Sequence, residues 1–228
     1  MVKRHLKRHN APKTWPVPRK LTKFITRPRS GAHSLDYGLA IATVFKLLGY
    51  CDTNKEAKQI LNSNEVFVNN KLVKDFKKMV GFMDVISVPS KKLFFRVTLN
   101  EQGKLNVIEI NEKEANLLPC KIKNITKIKG GLFQHNAKNG YNIRAEKKLC
   151  KTGDTILWNL NENRVLRILS LKKGATVFLI GGRFAGNLGK FVIKEKQLAM
   201  FELDGVTHAT SLKYVMVIGE NKPEIKVR

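Results

Sequence analysis

Turn residues punctuate the chain beyond residue 93 so closely that short antiparallel strands are what fits between them. Positions 100–103, Gly130-Gly131, Asn139-Gly140 and Thr152-Gly153-Asp154 supply the backbone freedom that tight turns need. The runs between them, 93–99, 104–110, 121–128, 141–144, 156–159 and 165–171, are strand-like. This region predicts a small antiparallel barrel.

Ahead of it the pattern changes. Leu39, Ala42, Val44, Phe45, Leu47 and Leu48 recur with a helical period, predicting a first helix over 36–48 that Gly49 ends in the left-handed conformation. Thr53 and Glu56 fit a capping box for a second helix over 54–62, which buries Ala57, Ile60 and Leu61 and leaves Lys55 and Lys58 outside. Residues 65–73 read as two short strands hinged at Asn69-Asn70, and 84–88 as a third strand.

The charge is blocked. Of the net +25, residues 1–35 carry +10 with no acidic residue, 36–119 carry +2, 120–151 carry +8 and 152–228 carry +5. Like charge at this density repels itself, so a phosphate backbone is the natural counter-charge. An anionic membrane would satisfy the same electrostatics, but the arm lacks an amphipathic apolar face, and Pro12, Pro16, Pro18 and Pro28 forbid a long helix. The arm reads as an extended segment that orders on RNA, with Trp15 stacking on a base or packing on the body.

Other chemistries find little support. His5 and His9 are spaced four apart, but no carboxylate or cysteine lies nearby to complete a metal site. Cys51, Cys120 and Cys150 are too far apart for a zinc knuckle, and three thiols without a leader suggest buried apolar residues in a reducing cytoplasm. No apolar stretch reaches the ~20 residues of a membrane helix. Asp84, Asp154 and Asp204 sit beside turns or strand starts with no partner motif, and Asp84 and Asp154 read as turn formers.

In 120–151, Lys121, Lys123, Lys127 and Lys129 alternate so as to put basic side chains on one strand face, a flat surface for phosphates. Further on, residues 174–194 form a strand, a loop with Gly181, Gly182, Gly186 and Gly189, and a second strand. These glycines allow close approach to a sugar-phosphate backbone, with Arg183 and Lys190 at the tip. No Gly-Lys-Ser/Thr follows at P-loop spacing.

The run Asp52-Thr-Asn-Lys-Glu-Ala-Lys-Gln-Ile-Leu, then Val66-Phe-Val-Asn-Asn-Lys-Leu-Val and Asp84-Val-Ile-Ser-Val, resembles the S-four type RNA-binding module. The glycine-rich loop resembles the KOW motif of small SH3-like barrels. With His5-Leu-Lys-Arg, Trp15-Pro-Val-Pro-Arg-Lys and Tyr214-Val-Met-Val-Ile-Gly-Glu-Asn-Lys-Pro-Glu-Ile, the whole order is similar to the S-four-e family of small ribosomal subunit proteins, closest to archaeal members.

The joint reading is an α+β, mostly β chain in four parts: a basic N-terminal arm (1–35), a helical S-four-like module (36–92), a central β domain (93–171) and a KOW, SH3-like barrel with a tail (172–228). The resemblance implies a structural constituent of the small ribosomal subunit that binds and stabilises its rRNA. It implies rRNA and neighbouring ribosomal proteins as partners, with no enzyme activity, cofactor, metal, membrane or homo-oligomer. Candidate RNA-binding residues are Lys3, Arg4, Lys7, Arg8, Lys13, Trp15, Arg19, Lys20, Arg27, Arg29, Lys55, Lys58, Lys71, Lys74, Lys121, Lys123, Arg183 and Lys190. Two other readings stay open: an RNA-modifying enzyme using the S-four-like module as a clamp, and a KOW-type transcription or antitermination factor.

Overall fold

A computed structural model describes residues 5–227, so Lys3 and Arg4 lie outside the described residues. The chain divides into two compact units: Met1–Thr98 with Lys104–Ala115, and Leu99–Gly103 with Asn116–Arg228. Both are built mainly from strands.

The first unit begins with β1 (Leu6–Lys7) and β2 (Phe24–Ile25), followed by β3 (Gly38–Ala40), α1 (Ile41–Leu47) and α2 (Asn54–Ser63). Then come β4 (Phe67–Val68), β5 (Lys71–Leu72), β6 (Met79–Gly81), β7 (Val85–Val88), β8 (Leu93–Leu99), β9 (Leu105–Glu109) and the single turn α3 (Glu112–Ala115). A five-stranded sheet runs in the order β5-β4-β7-β8-β9, while β3 pairs with β6 and β1 with β2.

The helix expected over 36–48 is shorter. Leu35–Tyr37 is a 3-10 turn and Gly38–Ala40 is extended, pairing Leu39 with Val80 and Ala40 with Met79. All three strand residues are buried, and a short run apolar on both faces satisfies helical and extended periods alike. The helix does end as expected: Gly49 has φ +74°, its N–H reaches the Lys46 carbonyl at 3.2 Å, and the Tyr50 N–H reaches Phe45 at 3.0 Å, a Schellman closure.

The capping box of α2 is complete. The Glu56 N–H donates to Thr53 Oγ1 at 3.2 Å, and Glu56 Oε2 accepts from the Thr53 and Asp52 N–H groups at 3.4 and 2.8 Å. Ala57 and Leu61 are buried, whereas Ile60 is only half-buried. The expected hairpin forms, with Asn69 and Asn70 at φ 49° and 60° as a tight turn between twisted strands requires.

The boundary at residue 93 is corrected. β8 pairs with β7 in register Ile86 to Phe95, and β9 lies beside β8, so the two strands complete the sheet of the first unit while the turn between them, Leu99–Gly103, is counted with the second. Its strands were legible, but sequence periodicity does not reveal which neighbour supplies the next hydrogen-bonded edge.

The second unit contains β10 (Leu117–Lys127), β11 (Phe133–Ala137), β12 (Asn142–Ala145), β13 (Thr155–Asn159) and β14 (Arg164–Leu169), in sheet order β12-β11-β10-β13-β14. It continues with β15 (Thr176–Leu179), β16 (Leu188–Glu195), β17 (Leu198–Leu203), β18 (Val206–Ser211) and β19 (Val215–Gly219), in order β18-β17-β16-β15-β19. Strand β11 is an addition to the sequence reading, hidden in the polar run Phe-Gln-His-Asn-Ala. One core gathers Leu118, Cys120, Ile122, Ile143 and Ile156. In the other, Leu157 of β13 and Leu169 of β14 pack with Val177, Phe191, Phe201 and Val217.

Candidate nucleic-acid interface

Residues 5–35 are not a loose strand of cations. Lys7 pairs with Phe24 across β1 and β2. The Arg8 guanidinium donates to the Pro18 carbonyl at 3.0 Å, the Thr22 carbonyl at 3.1 Å and Thr22 Oγ1 at 2.8 Å. Arg19 donates to the carbonyls of His9, Ala11 and Pro12 at 2.9, 2.6 and 3.0 Å. An arginine fork suits this task because it fills several acceptors at once. These two side chains therefore brace the segment, Arg8 half-buried and Arg19 exposed, whereas Lys7, Lys13 and Lys20 are exposed and their heads are left to solvent.

Of the two roles open to Trp15, stacking on a base or packing on the body, the structure shows the second, so it leaves the list of RNA contacts. It is 2% exposed, its Nε1–H donates to the Leu35 carbonyl at 3.0 Å, and the adjacent Thr14 carbonyl accepts from the Leu105 N–H at 2.7 Å. The exposed apolar residues of this segment are Leu21 and Phe24, which the sequence reading passed over.

On the first unit, Lys55, Lys58, Lys71 and Lys74 are exposed and Arg27 is half-buried. Lys58 Nζ lies 4.8 Å from the Phe76 ring centroid, with Lys77 Nζ at 5.6 Å. Arg29 is partly occupied by an ion pair with Asp75 at 3.0 Å. The acidic Asp84 is buried among donors: Asn69 Nδ2 and the Gly81 N–H both at 2.8 Å, and His33 Nε2 at 2.9 Å. It closes the turn at 81–84, and Asp154 likewise accepts from the Lys151 and Leu171 N–H groups at 2.8 and 3.0 Å.

The expected lysine face of β10 is broken between its first two members. Residues 117–121 pair with β13 and 122–127 with β11, and the register slips between Ile122 and Asn124. A bulge at Lys123 shifts the alternation, so Lys121 turns inward while Lys123, Lys127 and Lys129 stay exposed. Lys121 is 7% exposed, and its ammonium donates to the carbonyls of Leu212 and Lys213 at 3.1 and 2.9 Å. Burial, then the charge of Lys138, pushes its pKa down to about 7. Burial also lowers Lys138, assisted by Lys123 and Lys213, so four lysines converge here. Lys138 and Lys213 are not among the sequence candidates, because they come from a turn and a 3-10 segment that the alternation along β10 does not reach.

The glycine-rich loop is tight against protein. A Cβ at Gly186 would stand 1.8 Å from the Asn100 carbonyl oxygen, and one at Gly189 would stand 2.9 Å from that of Glu202. At these two glycines the close approach is to protein backbone, the turn residue Asn100 and Glu202 of β17. Arg183 is exposed in the loop, its guanidinium carbon 5.8 Å from the Phe184 centroid. Lys190 is exposed within β16 rather than at the tip, in register between Thr176 and Glu202. Among the described residues, no group of three or more His, Cys, Asp or Glu is placed to hold a metal.

Residues 91–165 match Ribosomal family S4e, and residues 2–36 match the RS4NT (NUC023) domain. The small ribosomal subunit protein eS4 of Methanocaldococcus jannaschii is 35% identical over 99% of this chain and 98% of its own length. The chain belongs to the ribosomal S4e family. The eS4 protein of Methanosphaera stadtmanae is also 35% identical, over 99% of this chain and 96% of its own length. The crystal structure of the 30S ribosomal protein S4e from Thermoplasma acidophilum superposes with a TM-score of 0.69 at 25% identity, covering 81% of this chain and 95% of that one. S4e proteins are a structural family and not enzymes, which sets aside the RNA-modifying alternative, and the transcription-factor alternative gains no support.

Proposed function

We infer that this S4e chain is a structural constituent of the small ribosomal subunit and that its exposed cations dock it on rRNA. The observation that carries this is full-length likeness to small-subunit proteins in a chain of net +25. We assign Lys7, Lys13, Lys20, Arg27, Lys55, Lys58, Lys71, Lys74, Lys123, Arg183 and Lys190 to phosphate contact, with Lys3 and Arg4 as sequence-based candidates. Arg29 joins them when its ion pair with Asp75 opens, whereas Arg8 and Arg19 hold the arm in shape. Such contacts set position, and specificity then comes from RNA shape and unpaired loops.

The finer architecture belongs to the same reading. Residues 36–92 act as an S-four-like module extended by the β8–β9 hairpin, and 172–228 act as a KOW-type, SH3-like barrel. What favours the first is the order α1, α2, hairpin, strand; what favours the second is a five-stranded antiparallel sheet with a glycine loop between β15 and β16.

Sucrose-gradient fractionation of native lysate after a high-salt wash tests the proposal. Retention in the small-subunit peak is expected, and appearance only in light fractions would overturn it.

A further inference from the structure

We propose that Phe24, with His5 beside it, is a stacking platform for an unpaired RNA base. The proposal rests on the rRNA-docking reading and adds to it a second kind of contact. The first 35 residues bury Leu6, Ala11 and Trp15, so the segment has an apolar interior available. Phe24 nevertheless stands 48% exposed and Leu21 72% exposed.

The backbone beneath the ring is held by hydrogen bonds. Arg8 clamps Thr22 through both its carbonyl and its hydroxyl, the Arg8 N–H donates to the Lys23 carbonyl at 3.0 Å, and Thr22 Oγ1 donates to the Phe24 carbonyl at 3.0 Å. The His5 ring meets Phe24 edge-on, with centroids 5.6 Å apart and planes at 82°. Lys23 Nζ lies 5.7 Å from the Phe24 centroid, and Lys7 is its cross-strand neighbour. An aromatic ring held in place among cations, in a segment without one acidic residue, matches a ligand that offers a flat π face and a phosphate on each side. Single-stranded nucleic acid has that chemistry. A bilayer calls for a broader apolar face than one ring and one leucine, and an apolar protein partner gives no use to the surrounding charge.

The test uses the full chain and two probes of equal length: single-stranded oligoadenylate and its abasic counterpart. Phe24→Ala is expected to weaken oligoadenylate binding about tenfold while leaving the abasic affinity and the salt slope unchanged. Phe24→Trp is expected to retain affinity, and its new exposed indole to be quenched by oligoadenylate but not by the abasic strand. Equal losses on both probes, or no loss on either, would overturn the platform, as would an unquenched Phe24→Trp indole. Phe24-dependent binding to anionic vesicles without the oligoadenylate effect would also overturn it. The gradient result for the unaltered chain judges the ribosomal reading separately, since retention there does not depend on either probe.

Discussion

Asn69 ties Asp84 and Val85 together across the foot of the β4–β5 turn. Its Nδ2 donates to Asp84 Oδ1 at 2.8 Å, and its Oδ1 accepts the N–H of Val85, the residue after Asp84, at 2.9 Å. The side chain thus ties a tight turn to the strand beside it while its backbone holds φ 49°. Asn69→Gly keeps the turn conformation and removes only the bridge. It is expected to cost about 2 kcal/mol, the usual penalty for stripping a partner from a buried polar group. Urea denaturation reads this directly, and an unchanged midpoint would mean that the turn needs only the backbone angle.

Arg8 and Arg19 differ from the neighbouring lysines in what they do, although the sequence presents them as one charge run. Arg19→Lys is expected to loosen residues 5–35, because one ammonium cannot serve three carbonyls in that geometry. Faster chymotryptic cleavage after Leu21 or Phe24 would report it. Lys20→Gln is expected to weaken RNA binding and lower the salt slope by roughly 0.7–0.9 with no change in cleavage. Equal cleavage of both variants would remove the distinction.

The local signals that proved legible were those written in adjacent residues: the Thr53/Glu56 cap, Gly49 and the Asn69-Asn70 turn each depend on a few neighbouring side chains. The failures depend on distant ones. Gly38–Ala40 became a strand because Met79–Gly81 was available to pair with it, and Trp15 is buried because the Leu35 carbonyl lies opposite its indole. Lys121 shares its residue type and strand with Lys123, but a one-residue bulge sends the two in different directions. Charge points to a polyanion as the ligand class, but which cations are held by backbone carbonyls, as Arg8 and Arg19 are, depends on segments that only the fold brings together.

Gly186 separates a packing glycine from a binding one. Its φ of +88° is strained for any other residue, and a methyl group there would overlap the Asn100 carbonyl. Gly186→Ala is expected to destabilise the second unit by about 2–4 kcal/mol. Arg183→Ala, in the same loop but exposed, is expected to leave the melting temperature within about a degree or two and to reduce RNA affinity. If Gly186→Ala instead melts normally and loses RNA, the loop's glycines serve the ligand after all.

Lys121 ties the stability of the second unit to pH. Its folded pKa is pushed to about 7 from the ordinary 10.5, so between those values the unfolded chain holds the additional proton. Stability therefore rises with pH from about 7 towards 10.5, and below about 7 the ammonium is charged in both states and the dependence flattens. Lys138 is shifted in the same direction and adds to the slope. Lys121→Met cannot titrate, so its unfolding free energy is expected to climb less steeply across pH 7–10, with the remaining slope owed in part to Lys138. The comparison of slopes isolates the ammonium from the packing change, because a lost contact to the Leu212 and Lys213 carbonyls lowers stability at every pH. Parallel slopes would show that Lys121 keeps an ordinary pKa despite its burial.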